Sequence, residues 1–191
     1  MSSQFLFNNI NSKVPITEAE FKIMAPSFHY KEVKKKDILI AEGKKNELVY
    51  IVEKGLLCNY KTLDSGDKQV IQFAKENYWI GDFYSFFTGA SALFTLETLE
   101  DCKVWTCSKP DLDALIKNLP KMEAFLLKLN QGAYISTLIR LSDIYSEDAE
   151  AKYAKLAQQH PDLLQRVPQY LIASYLGILP SSLSRIRNKK R

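Results

Sequence analysis

Residues 170–187 read YLIASYLGILPSSLSRIR, and Asn188, two lysines and an arginine follow. The stretch is punctuated as two short helices that cross at a tight turn. Ile172, Leu176, Ile178, Leu183 and Ile186 recur at the spacing that closes a miniature apolar core between such helices. Ala173 stands where the two helices approach, and a larger side chain there would push them apart. Gly177 ends the first helix in the left-handed conformation that glycine takes without steric cost. Pro180 opens the second, with a fixed φ and a missing N–H that would be unpaired there anyway. Leu179, where a capping Ser or Thr is expected, leaves that helix without a side-chain cap. The pattern is a helix-turn-helix.

Turning the second helix by about 100° per residue points Leu183 and Ile186 inward. Ser181, Arg185 and Asn188 fall on the opposite side, flanked by Ser182, Ser184 and Lys189. That face is small, polar and cationic, which suits a DNA groove: arginine can hold guanine O6 and N7 together, while serine and lysine suit phosphates. Arg187 lies nearer the buried side and reads as a phosphate contact or a packing stem. The charge distribution agrees. Residues 1–139 carry 17 lysines, no arginine and 17 acids, so the net charge of +4 resides wholly in residues 140–191.

Upstream, residues 29–108 break into short β-prone runs separated by glycines, such as DILIAEG, ELVYIVEKG and QVIQFAKENYWIG. Turn signals about every ten residues predict an antiparallel barrel or sandwich. LDSGDK, residues 63–68, reads as a hairpin turn, with Asp64, Gly66 and Asp67 tolerating unusual backbone angles. Before the strands, Thr17 and Glu20 have the spacing of a capping box opening a short helix. After Pro110 the period becomes helical, and Pro120 suits the first position of a long helix over 120–145. That helix is apolar on more than one side: Phe125, Ile135 and Ile139 form one stripe, Leu126, Leu129 and Ala133 a second, Leu138 and Leu141 a third. One barrel face needs a single stripe, so the surplus predicts a second copy of the chain as partner, with Leu126 and Leu129 among the contacts.

At 191 residues and 46% hydrophobic content the chain can fill substantial cores. Cys58, Cys102 and Cys107 are odd in number and lack a CxxC pair, which predicts buried thiols in a reducing cytoplasm. No apolar run reaches the length of a membrane span, about 18 residues, and no signal-peptide pattern is present.

The LIAEG, LVYIVEKGLL, WIGDFYSF and terminal YLIASYLGI and SSLSRIR segments stand in the order and at the spacing of the Crp/Fnr family of bacterial transcription regulators. The chain resembles that family over about residues 28–187. The resemblance implies an α+β fold with a jelly-roll-like antiparallel β-roll sensor over 1–119, a dimerisation helix over 120–145 and a helix-turn-helix domain over 146–191. It further implies a homodimer whose recognition helices bind double-stranded DNA half-sites one turn apart, under an effector whose identity is open. In members that bind cyclic nucleotides, a Gly-Glu-Leu segment holds the ribose, and an Arg-Ser or Arg-Thr pair about ten residues later holds the cyclic phosphate. Here Gly81, Asp82 and Phe83 match the first element loosely, and the second falls on Ala92 and Leu93. Without the arginine a buried phosphate loses its charge-assisted clamp, so cyclic AMP is not expected as effector. Phe83, Phe86, Phe87, Leu93 and Phe94 make the segment apolar, which leaves a greasy uncharged ligand or a pocket filled by its own side chains.

Enzymatic readings find no support. A cupin-type metal site needs two or three histidines on the roll, and the chain has only His29 and His160. Phosphate-binding loops, nucleophile elbows and HExxH are missing, and three dispersed cysteines do not supply the four ligands of an iron–sulfur cluster. No metal and no cofactor are expected. The competing class is a cyclic-nucleotide-type binding module that acts through protein partners without touching DNA.

Overall fold

A computed structural model gives the structure of the protein over residues 2–189, with side chains described from residue 3 to residue 188. Helices α1 (Ser2–Asn11) and α2 (Glu18–Met24) lead into a 3-10 turn, Ala25–Ser27. The α2 capping box is formed: Glu20 N–H donates to Thr17 Oγ1 at 3.2 Å, and Thr17 N–H to Glu20 Oε2 at 2.7 Å.

Eight strands then build an antiparallel β-roll, as the α+β reading expects. One sheet has the order β1 (His29–Val33), β8 (Cys102–Ser108), β3 (Leu48–Lys54), β6 (Trp79–Ile80). The other runs β2 (Ile38–Ile40), β7 (Thr95–Thr98), β4 (Leu57–Thr62), β5 (Lys68–Ala74). Strand β3 shows why its apolar run is uninterrupted. Tyr50 and Val52 face the roll interior, while Val49 and Ile51 face a second core built with the N-terminal and long helices. Both faces are covered, so alternation with polar residues would leave gaps. In the β4–β5 hairpin Gly66 alone takes a positive φ, 84°; Asp64 and Asp67 do not share it, because one left-handed residue completes the reversal.

Helix α3 (Phe83–Thr88) interrupts the roll, and α4 (Lys109–Asn118) leaves it. Helix α5, Pro120–Ser146, is 27 residues long and starts on its proline. Met122 and Phe125 bury against the roll, with Trp79 and Phe125 ring centroids 5.1 Å apart. Leu126 and Leu129 pack onto the same core of their own chain, which corrects their assignment as partner contacts. Four helices close the chain: α6 (Ala149–Gln159), α7 (Pro161–Arg166), α8 (Gln169–Leu176) and α9 (Pro180–Lys189). They do not form a detached module. Leu156, Leu163, Leu171, Ile172 and Leu183 share one core with Leu56, Cys58, Tyr60, Val70 and Phe73 on the outer face of the second sheet.

All three cysteines are free and buried. Burial pushes the Cys58 and Cys107 thiols up to about 12 and Cys102 to about 11, so none is a thiolate near neutral pH. Among the described residues no helix is long and apolar enough to cross a membrane, and no three His, Cys, Asp or Glu side chains group as a metal site.

Candidate nucleic-acid interface and sensor segment

Helices α8 and α9 pack on one another through the residues that the sequence singles out. Ile172, Ala173, Leu176, Leu183 and Ile186 are buried, and Ile178 is partly buried against the same core. Ala173 is fully buried. Helix α8 ends at Gly177 with φ 65° and ψ 36°. Ile178 N–H donates to Ala173 O at 3.0 Å and Gly177 N–H to Ser174 O at 3.1 Å, the paired bonds of a Schellman end. On α9, Ser181, Ser184, Arg185 and Asn188 are exposed, and Ser182 and Arg187 are half-buried. Arg187 lines a crevice with Tyr153, Leu164 and Ile172, consistent with a stem that packs before its charge reaches water. The side chain of Lys189 lies outside the described residues. Arg185 contacts Ser182 Oγ at 3.4 Å and, among the described residues, pairs with no carboxylate, so its guanidinium is available.

The unit is fastened to the roll in two further ways that the sequence does not announce. Ser174 lies over the edge of β5: Val70 N–H donates to its Oγ at 2.9 Å, and its hydroxyl donates to Lys68 O at 2.7 Å. Arg166, the last residue of α7, grips two turns of the roll. It donates to Glu100 at 2.9 and 2.8 Å and to Glu76 at 3.0 and 2.9 Å. Glu76 also accepts Gly55 N–H at 2.8 Å, and Lys75 pairs with Asp162 at 2.9 Å beside it. An arginine closing a helix two residues before Pro168 is the local signal for the clamp; its partners are 66 and 90 residues away.

The sensor segment is committed to internal contacts. Asp82 is fully buried, and three backbone amides converge on its carboxylate. Ser85 N–H donates to Oδ1 at 2.8 Å, capping α3, while Leu93 and Phe94 N–H donate to Oδ2 at 2.6 and 2.9 Å. Gly81 is buried, and its carbonyl accepts Asn59 Nδ2–H at 3.1 Å; a Cβ there would sit 3.3 Å from Leu48 O. Ala92 is sealed in the roll interior. Phe83 is half-buried and stacks on Phe87 at 6.0 Å, while Phe87 and Leu93 turn their side chains outward. The expected greasy lining is therefore corrected at Phe87 and Leu93, whose side chains face solvent.

Helix α5 shows a third feature. Leu127, Tyr134 and Leu141 are spaced by seven, as are Leu138 and Tyr145, and all five side chains are exposed. On a helix these form one stripe, roughly opposite the face that carries Phe125 and packs on the roll.

Residues 30–118 match the sequence profile of the cyclic nucleotide-binding domain. The fold is that of the Crp/Fnr regulators. The c-di-GMP-responsive global regulator CLP of Xanthomonas campestris superposes with a TM-score of 0.72 at 15% identity, covering 91% of each chain. FixK2 from Bradyrhizobium japonicum gives 0.71 at 17% identity over 85% of this chain and 83% of its own. A protein from Eubacterium rectale described as a Crp/Fnr-family transcriptional regulator gives 0.68 at 14% identity over 91% and 83%. No curated protein matches the sequence. At these identities the likeness carries the architecture, and the side chains have to carry the function.

Proposed function

We propose that the chain is a sequence-specific DNA-binding transcriptional regulator of the Crp/Fnr type. It acts as a homodimer through α5 and does not respond to cyclic AMP. The observation that supports the DNA reading most is the face of α9: Ser181, Ser184, Arg185 and Asn188 stand exposed on a helix without an acidic residue, while Leu183 and Ile186 anchor its other side. A cationic face with an uncommitted arginine, held on a short helix after a tight turn, has the shape and charge for a major groove. Ser182, Arg187 and Lys189 flank the contact as phosphate ligands.

The roll acts as a scaffold for positioning α9. Its buried carboxylate Asp82 uses the Leu93 and Phe94 amides at the segment matched to the cyclic-phosphate clamp, so a cyclic phosphate would have to displace an internal anion without an arginine to replace it. Selection of bound fragments from genomic DNA by the purified protein tests the assignment. An enriched two-fold symmetric site, with half-sites about 10 base pairs apart, is the expected outcome. Retention of no fragment above a random pool would favour the module that acts through protein partners.

A further inference from the structure

A cleft of about 290 Å³ lies between α5 and the terminal helices, walled by the second half of α5, by α6 and by α8. Gly132 lines its mouth, where an added Cβ would meet nothing within 4 Å, so a larger side chain there has room to project into the cleft. The α5 face concerned carries Gly132, Ile139 and Arg140, and it lies roughly opposite the exposed Leu127, Tyr134 and Leu141 stripe. Dimerisation through that stripe leaves the cleft open.

The charges in the cleft are unequally used. Lys152 donates to Ile144 O at 2.7 Å, and Lys155 pairs with Asp143 at 2.6 Å. Arg140, among the described residues, pairs with no carboxylate; its guanidinium lies 4.9 Å from the Tyr175 ring centroid. His160 lines the same cleft, its Nδ1 buried and without a hydrogen-bond partner among the described residues. Ile139 and Leu156 supply apolar wall between these groups. An arginine on an aromatic face that pairs with no carboxylate among the described residues, set between aliphatic sides, selects a ligand with one negative charge and a compact apolar body.

We infer that this cleft binds a small organic monocarboxylate with an aromatic or branched aliphatic body. The carboxylate pairs with Arg140, and the body lies against Ile139, Leu156 and Tyr175. The ligand would touch α5, α6 and α8 at once, so it would brace the α8–α9 unit, already fastened to the roll, against the long helix as well. That consequence for DNA rests on the function proposed above, whereas binding itself does not.

Calorimetry on the full chain without DNA separates the two. Phenylacetate is the probe, with phenylacetamide as its neutral counterpart. Two variants accompany the wild type: Arg140→Met keeps a stem over Tyr175 but removes the charge, and Gly132→Leu fills the mouth with a better helix former. Phenylacetate is expected to bind with a dissociation constant below about 1 mM, and the amide, Arg140→Met and Gly132→Leu each to weaken it about tenfold or more. Loss in Arg140→Met alone would place the anion outside the cleft and overturn the site. Loss in Gly132→Leu alone would overturn the charge class. If phenylacetate, benzoate and isovalerate all fail to bind the wild type at about 10 mM, the inference is wrong.

Discussion

Three amide donors converge on the Asp82 carboxylate, and two of them come from Leu93 and Phe94, in the segment that the family resemblance aligns with the cyclic-phosphate clamp. An internal carboxylate that satisfies buried amides needs no ligand, and it repels one of like charge. Cyclic AMP and cyclic GMP, titrated to millimolar concentration, are expected to give no heat of binding. A dissociation constant below about 10 μM, equivalent to roughly −7 kcal/mol, would overturn the assignment. The same geometry makes Asp82 structural: Asp82→Ala strands three donors in a buried site and should lower unfolding stability by about 2–4 kcal/mol, read from denaturant midpoints. At the other end of the chain Arg185 is exposed and, among the described residues, pairs with no carboxylate, so its removal should leave stability unchanged and act on DNA alone. Arg185→Ala is expected to cost about 1–3 kcal/mol on the selected site and to relax base preference at one position. Equal loss on selected and random DNA would make Arg185 a phosphate contact.

Among the elements, α7 and α8 decide how the terminal unit is held, through Arg166 and Ser174. Burial pushes the Glu76 carboxyl up, but the hydrogen bonds from Arg166 and from the Glu76 and Gly55 amides outweigh it and hold the pKa down at about 2. A carboxyl whose pKa is depressed by folding contributes stability that is present above its unfolded value, about 4.3, and is lost as the pH falls through the folded one. Denaturant midpoints measured from about pH 5 down to about pH 2.5 should therefore fall more steeply for the wild type than for Arg166→Met, which has already lost the pair. Identical slopes would show that the clamp contributes nothing to folding. The clamp also marks the limit of what sequence can show. The terminal helix pair was legible because its determinants are local: Gly177 and Pro180 punctuate it, and Ile172, Leu183 and Ile186 repeat at helical spacing. The roll was legible from strand length and glycine turns. Arg166 with Glu76 and Glu100, Ser174 with β5, and Asp82 with Leu93 are pairings across the fold, and nothing in the composition of either partner's neighbourhood specifies the other. Leu126 and Leu129 were misread for the same reason, since an apolar helix position does not say which of two surfaces it meets.

Taken as a whole, the molecule has its own α8–α9 unit fixed against the roll, while one long stripe of α5 is left in water. Tyr134 and Tyr145 are 65% and 83% exposed, and Leu127, Leu138 and Leu141 are 58%, 46% and 47% exposed on the same side. With heptad spacing, two such stripes can supply knobs and holes to each other, and the two-fold axis of a parallel pair would place two α9 helices on one side of the assembly. The terminal unit shares a core with the roll and is clamped to it, so in such a dimer the distance between the two α9 helices would be set by the seam rather than by a flexible linker. Leu138→Glu combined with Leu141→Glu should give a folded monomer by light scattering, because neither side chain belongs to a core of its own chain. Leu126→Glu, on the packed face, should instead lower the unfolding midpoint. The monomeric double variant should lose most specific affinity for a two-half-site operator while keeping the weak, salt-sensitive binding of a single unit. A wild type that is monomeric at tens of micromolar, roughly where an interaction of −8 kcal/mol would be saturated, would remove the basis for that two-site geometry and leave α9 to read a single half-site.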